Sequence, residues 1–309
     1  MTSANPGVIE HTAQSASRLP RSWAAWKHLL YRTYVEINDD RLLALAAAIV
    51  FYSLLALFPA ITALVSSYAL FADPSTIGNH MAEIASMMPE SAYGVVNEQV
   101  ARVVGHTTGG LGFAFIFGFV LALWSANTGV KAIIDALNIA YGVKERRGFI
   151  RLNLVSLAFT VGGIVSLLLA IAAVVVLPIV LSYFPFGSFG AGVLALLRWP
   201  VLFVLLLLGL AVLYRFGPDL AHPRWRWISP GATFAALAWL LGSALLSWYL
   251  GSFAHYDAAY GSLGAGIGLM MWLWMTGIVV LVGAELNAEI DEEDELAHAP
   301  FPPKRAPKL

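Results

Sequence analysis

Long apolar runs separated by short polar or basic connections set the pattern of this chain. They cover residues 42–71, 111–126, 152–181, 193–214, 231–250 and 264–286. Each meets or approaches the roughly 20 residues that a helix rising ~1.5 Å per residue needs to cross a hydrocarbon core about 30 Å thick. None shows the alternation of a barrel strand. In lipid a chain has to satisfy its backbone groups within each segment, so the runs predict helices. The expected fold class is all-α: a polytopic membrane protein, a bundle of about six transmembrane helices. The run 111–126 is the shortest, yet its apolar face continues through Val130, Ile133, Ile134, Leu137 and Tyr141.

The polar stretches divide the rest. Ahead of the first span, Trp23, Trp26, Leu30 and Tyr34 recur at helical spacing with basic residues between them. That spacing predicts a helix lying in the headgroup layer or packed on the bundle. Residues 73–110 are too polar to span, although Ile84, Met87, Met88, Val95 and Val96 suggest amphipathic helices on the outer face. The acidic run 291–295 followed by Pro302 and Pro303 reads as a solvated, disordered tail. The domain expectation is a cytosolic segment with an interfacial helix at 1–38, a membrane domain at 39–290 and the tail at 291–309. No internal repeat stands out, so an inverted-repeat transporter is not inferred.

Charge fixes the expected orientation. Of 18 Lys and Arg residues, all but Arg102 and Arg198 fall on the side that holds the N-terminus. Positive residues resist translocation, so both termini are expected in the cytosol, with no cleavable signal before the first span. Charged residues make up 12% of the chain, against about 25% for soluble domains, and the net charge is −1. Lipid is therefore the expected solvent and nucleic acid is not an expected partner. The absence of cysteine removes thiolate chemistry and disulfides.

Candidate chemistry lies on the cytosolic side. Asn127, Lys131, Asp135 and Asn138 share one flank of the helix that continues the second span. They read either as a polar stripe lining a cytosol-facing cavity or as a helix end emerging into the interface, with Lys131 and Asp135 an i, i+4 pair. Glu285 is the deepest acid in any span, followed closely by Asn287 among the polar groups. Intramembrane carboxylates raise coupling hypotheses, but Glu285 lies about 31 Å along a helix starting at Gly264, at the boundary and not the midplane. A pairing with Arg41, Arg151 or Lys131 is the structural alternative. Lys144, Arg146, Arg147 and Arg151 form a basic cluster suited to anionic lipid headgroups. Gly264 and Gly268 mark close helix packing inside the protomer, or a dimer face. Arg198 is read as snorkelling to outer headgroups, and Pro59 as a kink.

Three motifs in order carry a resemblance. They are residues 46–59 (AAAIVFYSLLALFP), 136–147 (ALNIAYGVKERR), and 260–265 (YGSLGA) leading to 283–289 (GAELNAE). Together they resemble the YihY/BrkB family, virulence factor BrkB proteins of the bacterial inner membrane, over roughly residues 38–290. The resemblance implies a six-helix inner-membrane protein without a settled activity. An older family label, ribonuclease BN, does not fit the chemistry here. A metal nuclease needs clustered His and carboxylate ligands, and the seven histidines are scattered singly. No catalytic residue, metal or cofactor is therefore assigned. The leading expectation is a transporter of a lipid or other amphipathic envelope component, with an unknown substrate entering along the cytosolic polar groups. The alternative is a non-transporting scaffold that binds lipids or protein partners.

Overall fold

A computed structural model of the chain describes residues 23–71, 111–171, 187–221, 229–252 and 263–298, and among them every regular element is a helix. In chain order these are α1 (Trp23–Asp39), α2 (Leu42–Phe71), α3 (Leu111–Ala140), α4 (Phe149–Ile171), α5 (Gly187–Phe216), α6 (Pro230–Ser252) and α7 (Leu263–His298). Residues 73–110, the tail residues 299–309, and the side chains of Pro59 and Arg198 lie outside the described residues.

Four helices contain stretches long and apolar enough to cross a membrane: Ile116–Ala140, Phe149–Ala170, Pro230–Leu250 and Gly266–Glu293. Shorter apolar stretches, Leu42–Ala56 and Pro200–Phe216, fall within α2 and α5, each of which is 30 residues long as a helix. Two sequence boundaries move. The short run ending at residue 126 belongs to a helix of 30 residues, because the apolar face that continues to Tyr141 is buried against neighbouring helices. The acidic run does not start a disordered tail at residue 291. It continues α7, 36 residues long, to His298, and Arg32 of α1 pairs with Glu289 and Glu292 and ties this end to the bundle.

Packing follows from small residues. α2 lies against α3 and also against α7, where a Cβ on Gly277 would meet Ala46 Cβ at 3.2 Å. The main core joins Leu42 and Ala46 of α2, Leu137 of α3, Tyr214 of α5, Ala235 of α6 and Ala284 of α7. Alanine and glycine at these crossings let backbones approach closely, which is how helices gain contact where lipid is as apolar as leucine. The outward faces are apolar too: Ile116, Phe117, Leu168, Leu241 and Trp248 are all exposed. A belt of that extent in water would drive aggregation, and in lipid it is solvated.

The turns keep the helix ends at one end of the bundle together. α3 stops at Gly142, whose φ of 61° is left-handed, while Val143 N–H donates to Asn138 O at 2.9 Å and Gly142 N–H to Ile139 O at 2.8 Å. Glycine takes that conformation without the Cβ clash any other residue meets. Between α1 and α2 the chain reverses at Arg41, with φ 52°.

Candidate functional site

The C-terminal ends of α3, α5 and α7 and the N-terminal ends of α4 and α6 meet at this end of the bundle. The buried polar side chains Asn138, Ser229, Glu285, Asn287 and Glu289 lie here. They fall into separate assemblies.

The first assembly clamps the α3–α4 connection onto the end of α5. Glu145 lies in that loop, and Arg147 Nε donates to Glu145 Oε1 at 2.7 Å while Nη2 donates to Oε2. Nη2 also donates to Gly217 O at 2.8 Å and Nη1 to Phe216 O at 3.3 Å. Arg147 thus satisfies carbonyls that α5 leaves open at its C-terminus, where a cation also suits the helix dipole. Asn138 completes the frame: its Nδ2 donates to Glu145 Oε2 at 3.0 Å and its Oδ1 accepts from Asp219 N–H at 2.8 Å. The bidentate Arg147 bond holds the Glu145 carboxyl down at about 2, from an ordinary 4.5, with the Asn138 bond assisting against burial. The same pairing raises Arg147.

A depressed carboxylate contributes stability above its unfolded-state value and loses it as pH falls through the folded value. Solubilised wild-type protein is therefore expected to lose thermal stability between about pH 4.5 and pH 2. Glu145→Gln should be less stable at neutral pH and should converge on wild type towards pH 2. Parallel acid profiles for the two proteins would show that Glu145 is not the group titrating.

The second assembly is the start of α6. Ser229 is its N-cap, with Oγ accepting from Ala232 N–H at 3.1 Å, and Pro230 occupies the first helical position. Asn287 of α7 adds a cap from outside: its Oδ1 accepts from Gly231 N–H at 2.8 Å and its Nδ2 donates to Ser229 Oγ at 3.0 Å. The helices touch here through Gly231 and Gly283, and Tyr214 Oη donates to Val280 O at 2.7 Å beside them.

The third assembly joins α1 to α7. Arg32 bonds Glu289 at 2.7 Å and Glu292 at 2.9 Å, and His28 lies 3.9 Å from Glu293. One turn earlier in α7, Glu285 is fully buried, and one carboxylate oxygen each from Glu36, Asp40 and Glu285 lie within 4.8 Å of one another. Oxygen-only trios of this kind suit a hard cation such as Ca²⁺ or Mg²⁺, so these three are the residues that could hold one among those described.

Between the second assembly and α5 lies a cleft of ≈ 40 Å³, room for about three waters. Tyr141, Arg215, Ser229, Asn287 and Asp291 line it, with Leu220 on its apolar side.

The residues singled out in sequence are thus not gathered in one cavity. Lys131 Nζ donates to Asn153 Oδ1 of α4 at 2.7 Å, Asp135 is exposed, and Asn127 is half-buried with Oδ1 lacking a partner among the described residues. Asn138 belongs to the Arg147 clamp, Glu285 to the carboxylate trio, and Asn287 alone reaches the cleft. Of the basic cluster, Lys144, Arg146 and Arg151 are exposed, while the Arg147 side chain is 4% exposed and turned inward. Gly264 and Gly268 are buried, and a Cβ on Gly268 would touch Leu250 of α6 at 3.4 Å. Sequence reading missed Glu145, Asp219, Arg215 and Asp291. The Ser229-Pro230-Gly231 helix start was missed too, and its contact with Asn287 is 56 residues away.

Long helices with apolar outer faces, and charged side chains gathered towards one end of the bundle among the described residues, define an α-helical, polytopic membrane protein. The virulence factor BrkB family model matches residues 33–308, and the chain belongs to that family. A ribonuclease-like protein, YfkH of Bacillus subtilis, is 32% identical over 255 residues, covering 81% of this chain and 90% of its own. A UPF0761 membrane protein of Vibrio parahaemolyticus is 26% identical over 296 residues, 92% of this chain and 87% of its own. No solved structure matches. The resemblance carried by the three motifs is borne out, and with it the membrane setting.

Proposed function

We propose that this is a six-span protein of the bacterial inner membrane, with both termini cytosolic, that takes up the polar end of an amphipathic envelope component and moves it. The cleft lined by Arg215, Ser229, Asn287 and Asp291 supports this reading: it offers charged and hydrogen-bonding groups at the ends of apolar spans, where a headgroup would enter. Lys144, Arg146 and Arg151, exposed beside Phe149 and Ile150, supply a basic rim that attracts anionic headgroups. No hydrolysis is assigned. The ribonuclease-like wording belongs to the Bacillus subtilis relative, and no nucleophile–base pair stands out among the described residues of this chain.

A second reading, a scaffold without transport, is favoured by the structural use of the polar groups. Lys131 and Asn287 each join two helices, and Asn138 ties α3 to the α3–α4 loop and to the residues just past α5. The two readings separate in proteoliposomes carrying short-chain fluorescent phospholipids. Transport predicts that wild-type protein accelerates their exchange between leaflets, and that Arg215→Gln and Asp291→Asn abolish the acceleration in protein that remains folded and monodisperse. Equal exchange in protein-free and wild-type vesicles would remove the transport reading for these lipids and leave the scaffold.

A further inference from the structure

α1 has two faces, and the bundle uses one of them. Leu29 is fully buried against Leu286 and Ile290 of α7, with Trp26 beside them and Thr33 buried a turn later. An adjoining face carries Trp23, Lys27, Leu30, Tyr31 and Tyr34, which fall within one helical stripe. Trp23, Leu30, Tyr31 and Tyr34 are 73%, 52%, 68% and 65% exposed. Lys27 Nζ stands 5.7 Å from the centre of the Trp23 ring.

We propose that this stripe seats α1 in the headgroup layer of the leaflet at this end of the bundle, and that its partner is an anionic lipid surface. Position comes first. α1 reverses into α2 through Asp40 and Arg41 alone, and Leu43, already exposed, begins the lipid-facing belt of α2. The aromatic stripe is therefore continuous along the chain with a surface that lipid covers. Chemistry comes second. Trp and Tyr place an apolar ring with a polar tip, the composition of an interfacial belt, and Leu30 adds a purely apolar anchor. Lys27 supplies positive charge on the same face, and Arg18 and Arg21 precede it in the sequence. A surface of anionic headgroups complements the charge of Lys27.

The seat also accounts for the acidic end of α7. Glu289, Glu292 and Glu293 would be repelled by an anionic leaflet. Arg32, on the flank of α1 between its two faces, meets them at 2.7, 2.9 and 4.0 Å. α1 thus works as an adaptor, aromatic towards the lipid and cationic towards the glutamates, that holds an acidic helix end beside a negatively charged surface.

The chain has no cysteine, so single spin labels can be placed in the full-length protein through Leu30→Cys, Tyr31→Cys, Tyr34→Cys and His28→Cys. His28 is exposed but lies on the rim towards Glu293. Each variant is reconstituted in phosphatidylcholine vesicles with and without phosphatidylglycerol, after confirming a wild-type unfolding temperature. Collisions with oxygen and with a water-soluble nickel chelate then report depth. The expected result is a shift towards oxygen at positions 30, 31 and 34 but not 28, larger with phosphatidylglycerol, and loss of that increment when Lys27→Glu is added. Nickel collisions at 30, 31 and 34 equal to those at 28 would overturn the proposal. So would dipolar broadening that grows with protein density, which would assign the stripe to a second copy of the chain.

Discussion

Arg147→Ala is expected to cost about 3–5 kcal/mol, the range for breaking a buried ion pair by removing one partner. The Arg147 side chain is 4% exposed and Glu145 is 20% exposed, so water cannot replace the lost bonds freely. The deletion strands the Glu145 carboxylate beside Asn138 and reopens the carbonyls of Phe216 and Gly217 that end α5. Arg147→Lys should recover only part of the loss, because an ammonium restores charge but not the planar fork that meets two carboxylate oxygens and two carbonyls at once. Equilibrium unfolding in detergent micelles checks both values. Adding Glu145→Gln to Arg147→Ala should cost less than the sum of the single changes, since the second deletion removes the charge the first left exposed. A change within about 0.5 kcal/mol for Arg147→Ala would place this side chain at the lipid surface with Lys144 and Arg146.

That contrast shows where sequence reading ends. Hydropathy locates helices well, because a spanning segment has to be apolar nearly throughout, and the charge bias marks which ends belong together. Both properties are sums over many residues, so a few misread positions change little. The inward turn of Arg147 depends on one residue. Lys144, Arg146, Arg147 and Arg151 look alike in the sequence, and only the approach of α5, some 70 residues on, separates the clamp from its exposed neighbours. The same limit explains the end of α7. An acidic run ahead of prolines has the composition of a disordered tail, yet here it is helix, tied to the bundle where Arg32, 260 residues earlier, reaches Glu292. Asn287 was legible as a deep polar residue, but its use as a cap for α6 was not, since capping partners are ordinarily sought within a few residues of the helix start.

Gly283→Ala is expected to destabilise the protein, although alanine is the better helix former by about 1 kcal/mol. A Cβ at this position would lie 2.5 Å from Tyr214 Oη, 2.7 Å from Gly231 O and 2.8 Å from Ala235 Cβ. Two of those neighbours are fixed. Gly231 O belongs to the first turn of α6, and Tyr214 Oη is held by Val280 O. Relief therefore requires α7 to move away from α6, which stretches the Asn287–Gly231 and Asn287–Ser229 bonds that cap α6. Overpacking of this kind costs about 1–3 kcal/mol, and a lost cap adds about 1 kcal/mol, so the sum exceeds the gain in helix propensity. The control lies on the same helix. Gly266 is exposed and has nothing within 4 Å of its added Cβ, so Gly266→Ala should leave stability unchanged or raise it by about 1 kcal/mol. Opposite signs for the two variants in one unfolding assay would locate the close α6–α7 crossing at Gly283. Equal signs would mean that the helices sit further apart there, and the capping role of Asn287 would fall with the contact.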